Sequence, residues 1–144
     1  MLTIRSHRYT LLACAVMLLG MSGVALSDPS PDDIEAARSS VDEMTPYDAG
    51  SRYGQALGAV EICPGAQTTT KVPALNTLYT GENLQAFNAQ ARKIYEAWIK
   101  LKQCTLLDDP SECKVIVDES CAAAVSEIGA SGSVLPGLIA GVRR

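Results

Sequence analysis

The chain has 144 residues, with 12 Lys plus Arg against 16 Asp plus Glu, a length that allows one modest domain. This acidic balance disfavours nucleic acid as a partner, because phosphate binding needs a basic stripe and the positive charges here are scattered. The one histidine, His7, lies in a segment expected to be removed, which would leave no imidazole for a Ser/His/Asp triad, a Cys/His pair or a histidine-containing zinc site.

Residues 1–27 follow the three-part pattern of a secretory signal: Arg5, His7 and Arg8, then the apolar run Leu11 to Leu19, then small residues ending in Ala25, Leu26 and Ser27. Cleavage is expected after Ser27. The apolar run falls short of the about 20 residues that a membrane span needs, and no second candidate follows, so the mature protein is expected to have no span. Leu11-Leu12-Ala13-Cys14 resembles a lipoprotein cleavage box, but most of the apolar run follows Cys14 instead of preceding it. Loss of the 27 residues leaves 117, with ten basic and sixteen acidic side chains and a formal charge of −6. Four cysteines remain, Cys63, Cys104, Cys113 and Cys121, an even number that points to two disulfides in an exported, periplasmic or extracellular, chain. They include no CxxC pair, so a thioredoxin-like redox site lacks its usual signal.

Asp28 to Met44 is rich in Asp, Pro and Ser and carries a weak apolar series, Ile34, Ala37, Val41 and Met44, at helical spacing. It reads as a linker over 28–46 holding a marginal helix, with Ser30 as cap and Pro31 at the first position, whose order depends on tertiary contacts. The domain proper is expected over 47–144. Asp48 to Ile62 places Ala49, Tyr53, Ala56, Leu57 and Val60 on one helical face and ends at Cys63-Pro64-Gly65. Gly50, Gly54 and Gly58 recur every four residues along one side of this helix. Each costs up to about 1 kcal/mol of helix propensity, so the row implies close packing inside the fold or a face for a partner helix.

Val72 to Tyr79 allows two helical turns with Pro73 in the first. The strongest periodicity runs from Glu82 to Cys104, where Leu84, Phe87, Ala91, Ile94, Tyr95, Trp98 and Leu101 share an arc of about 120°. Such a helix would be roughly 34 Å long. Trp98 and Phe87 lie on the same stripe as Leu and Ile, which marks them as core. Asp109, Pro110 and Glu112 open a last helix running to about Ile128, with Cys113, Val117, Cys121, Ala124 and Ile128 on one face and Gly129 as its stop. The glycine-rich tail from Gly129 to Arg144, with Leu138, Ile139 and Ala140, is expected to fold over the bundle.

Helix assignment also restricts the cysteine pairing. Cys113 and Cys121 are roughly 12 Å apart along one helix, beyond the about 6.8 Å that separates bridged Cα atoms. Cys104 ends one helix and Cys113 begins the next, so a short antiparallel turn brings them together and leaves Cys63 for Cys121.

No motif for chemistry stands up to this reading. Ser111-Glu112-Cys113-Lys114 fits S-x-x-K, but the chain is too short for a penicillin-recognising fold, lacks its companion motifs, and uses these residues as a helix start. Asp108, Asp109, Glu112, Asp118 and Glu119 lack calcium-loop spacing and read as caps and solvated surface. The expectation is an exported, all-α, disulfide-stapled bundle of about three to four helices that is not an enzyme, has no cofactor or metal, and acts through contacts with another protein, as an inhibitor, immunity or envelope interaction module. The alternatives are a carrier of a small apolar ligand and, more remotely, an enzyme built on the carboxylates.

Overall fold

In the computed structural model, residues 28–107 and 110–142 are described. The signal segment expected over 1–27 therefore lies outside the described residues, as do Asp108, Asp109, Arg143 and Arg144. The described chain is mostly helical: α1 (Pro31–Ser40), α2 (Pro46–Ile62), α3 (Lys71–Asn76), α4 (Gly81–Leu107) and α5 (Pro110–Ile128). This is one or two helices more than the sequence pattern predicts, because α1 and the six-residue α3 are both formed.

The helix starts follow capping chemistry. Ser30 and Asp33 make a reciprocal capping box at α1, and the Thr45 hydroxyl accepts the Asp48 amide at α2, with Pro46 in the first turn. The expected linker over 28–46 is thus, over Pro31–Ser40, a packed helix. Ala37 and Val41 are buried in the main core, and α1 lies against α3. Asp33 secures the contact, since its second carboxylate oxygen accepts a 2.8 Å bond from the Thr70 hydroxyl at the start of α3.

The central helix is α2, which touches α3, α4, α5 and β1. Its small residues allow this. Ala49, Gly50, Gly54, Ala56, Gly58 and Ala59 are all buried and occupy most of its circumference, so neighbours approach from several sides. Val60, placed on the core face by periodicity, is instead exposed. Along α4, Phe87, Ala91 and Trp98 are buried and Leu84, Ile94, Tyr95 and Leu101 are partly covered, all from the predicted stripe. The rings of Tyr53 and Tyr79 lie 5.1 Å and 5.0 Å from that of Phe87, tying α2 and the turn after α3 to α4.

After α5 the tail turns back along the helix end: the Leu135 amide donates to the Glu127 carbonyl and the Leu138 amide to that of Ile128, each at 3.0 Å. Leu135, Leu138 and Ile139 reach the core. Gly137, at φ 79°, makes a turn that side-chain-bearing residues avoid, and leads into β2 (Ile139–Ala140). This pairs antiparallel with β1 (Gln67–Thr68), Thr68 opposite Ile139. An all-α reading omits this ladder, which is too short for alternating hydrophobicity to reveal.

Two predictions follow from these contacts. The hydrogen bonds from Ser30 and Thr70 hold the Asp33 carboxyl below its ordinary pKa of 3.8. Because the folded value is depressed, the stabilising contribution of this carboxylate to α1 is fully present above pH 3.8 and is lost as pH falls through the folded value. Protection of the α1 amides, measured relative to intrinsic exchange at each pH, should therefore fall on acidification, and Asp33→Asn should abolish most of that dependence. Separately, the Tyr79 hydroxyl is buried without a hydrogen-bond partner among the described residues. Tyr79→Phe should therefore raise stability by about 1 kcal/mol in denaturant titrations.

Candidate functional site

The glycine row is used inside the fold. A methyl group on Gly50 would collide with the backbone carbonyl of Phe87, one on Gly54 with that of Ala91, and one on Gly58 with the Trp98 side chain. Gly50, Gly54 and Gly58 are thus buried against α4 and are not open to a partner helix.

The four cysteines form two bridges. Cys63 is joined to Cys121 with Cα atoms 5.6 Å apart, and Cys104 to Cys113 at 5.9 Å. The first links the end of α2 to the middle of α5; the second closes the α4–α5 hairpin. A polar link supports the same docking, with Arg52 Nη1 and Gln55 Nε2 of α2 both donating to Glu127 Oε2 of α5, at 2.6 and 2.7 Å. Gln55 also accepts from Arg52 at 2.9 Å, so this nearly buried amide is satisfied.

With its core face occupied in this way, α5 keeps apolar residues on its outer sides. Val115 and Ile116 are 56% and 44% exposed, and Ala122 and Ala123 are also exposed. Beside α5 runs a surface groove of about 490 Å³. Pro64 lines it from the turn after α2, Val142 from the tail, and Cys121, Ala122 and Val125 from α5. Its polar lining is Lys114, Asp118 and Ser126, and the Lys114 ammonium donates to Asp118 at 2.6 Å across one helical turn. The groove is therefore mostly apolar and carries one internally neutralised ion pair. A smaller hollow of about 340 Å³ lies over Ser51, Arg52, Gln55, Ile94 and Trp98.

Among the described residues, the carboxylates are not brought together. Asp118 is engaged by Lys114 on an exposed surface, Glu112 and Glu119 are exposed, and Asp108 and Asp109 lie outside the described residues. Among the described residues, no three His, Cys, Asp or Glu side chains are grouped to hold a metal ion. No described helix is long and apolar enough to cross a membrane. Sequence reasoning did not find the groove, because its walls come from the α2 turn, α5 and the tail. The signal that could have shown it was Ala122 and Val125, apolar residues of α5 outside its predicted inner face.

Comparison with known proteins gives no family: no family model, no curated protein and no solved structure matches this chain.

The close α2–α4 contact is open to test. Alanine favours helix over glycine by up to about 1 kcal/mol, yet Gly54→Ala must push the two backbones apart. A net loss of about 1–3 kcal/mol is expected in equilibrium unfolding, as for other overpacked interiors.

Proposed function

We propose that this is an exported, non-catalytic helical protein that acts by contacting another protein, with the α5 groove as its contact surface. The observation that carries the reading is the mostly apolar groove itself, in which Ala122 and Val125 of α5 meet Pro64 and Val142. Apolar surface grouped in this way favours association over solvation. Two disulfides fit an oxidising compartment, as an inhibitor or immunity protein of the cell envelope would need. Residues 28–144 contain no imidazole, and of the α5 carboxylates Glu112, Asp118 and Glu119 are exposed while Glu127 is engaged by Arg52 and Gln55.

One observation favours a second reading, a carrier of a small apolar ligand. The groove volume of about 490 Å³ falls within the range of small-molecule sites. The two readings differ in what occupies the same surface.

A photocrosslinking residue at Ala122, an exposed position in the groove, separates them. In the native host it should give a discrete protein adduct, and the same residue at exposed Asn83 on α4 should give none. Absence of an adduct at 122, with a co-purified small molecule seen by native mass spectrometry, would replace the first reading with the second.

A further inference from the structure

The two disulfides differ in what surrounds them. Cys63 and Cys121 are both buried, and the second half of α5 that follows Cys121 is held by other means: Ala124 and Ile128 are in the core, and Glu127 takes bonds from Arg52 and Gln55. The tail amides of Leu135 and Leu138 also close on its last turn. In the first half, by contrast, Cys113 and Val117 are the side chains turned inward, Val115 and Ile116 face solvent, and the Lys114–Asp118 pair lies within the helix itself. Cys104, the partner of Cys113, is half-exposed at the end of α4. This bridge therefore has one cysteine partly open to solvent, where Cys63–Cys121 has none, and thiol–disulfide exchange depends on such access.

We propose that Cys104–Cys113 is a redox latch whose reduction by a dithiol frees the first half of α5 from α4, while Cys63–Cys121 keeps the second half docked. One thiolate of the dithiol attacks Cys104 Sγ, breaking the bridge and releasing Cys113 as a thiolate, which takes up a proton. The second thiol then displaces Cys104 from the mixed disulfide. The protein gains two electrons and two protons, and the dithiol becomes a disulfide. Lys114 and Asp118 sit on the freed segment and line the groove, so opening the latch removes part of that wall. The latch does not depend on the groove having a protein partner, and its chemistry is read on the protein alone.

The test treats the full exported chain with graded dithiothreitol, quenches by alkylation and maps the labelled cysteines. Cys104 and Cys113 should be labelled roughly tenfold faster than Cys63 and Cys121. In a C104S/C113S variant, amide exchange should quicken across residues 110–120 and stay slow across 121–128. Equal labelling of the two bridges would overturn the proposal, and so would unchanged exchange over 110–120. Exchange that quickens across the whole variant would overturn it as well, because it would make this bridge a general staple. C63S/C121S serves as the contrast and should leave exchange slow across 110–120, where the short bridge is intact.

Discussion

The fold depends on how closely α2 approaches α4. Three glycines at four-residue intervals remove every side chain from one edge of α2, so that the backbone of α4 at Phe87 and Ala91, and the Trp98 side chain, occupy the space. The glycine cost in helix propensity is offset by the contacts made along the long stripe of α4. Alanines at 49, 56 and 59 keep the other sides of α2 narrow as well. The remaining elements can then gather around one slender helix, and where α2 meets α4 small residues on one side face the rings of Phe87 and Trp98 on the other.

This arrangement explains which parts of the structure were legible in the sequence. The α4 stripe, from Leu84 to Leu101, could be read because its large side chains all face one partner and repeat at helical spacing. The inner face of α5 was readable for the same reason, and the cysteine pairing followed from helix rise together with the short antiparallel turn between α4 and α5. For α2 the method placed Val60 inward, because periodicity assumes that burial follows side-chain size. In a central helix of glycine and alanine it follows the neighbours instead, and exposed Val60 is the result. The α1 helix was underestimated because its apolar face is small; the Asp33–Thr70 bond that helps fix it joins residues 37 apart.

The candidate site was less legible than the fold. Its groove is formed where Pro64, Val142 and α5 converge, and nothing local to any of these segments announces a shared surface. The glycine row, by contrast, was visible at once and is consumed by internal packing. Both outcomes have the same cause. Sequence periodicity reports what a helix presents, while the identity of the facing surface is set by chain topology.

The order in which the chain is made adds a constraint of its own. Cys63 belongs to Cys121, 58 residues later, yet Cys104 and Cys113 both emerge from the ribosome before that partner exists. Until then, Cys63, Cys104 and Cys113 face a pairing problem whose correct solution needs Cys121. The short bridge can form as soon as the α4–α5 hairpin exists, and doing so takes both competitors away from Cys63. Early closure of the short bridge therefore guards the long one, provided that the hairpin closes before Cys63 is captured.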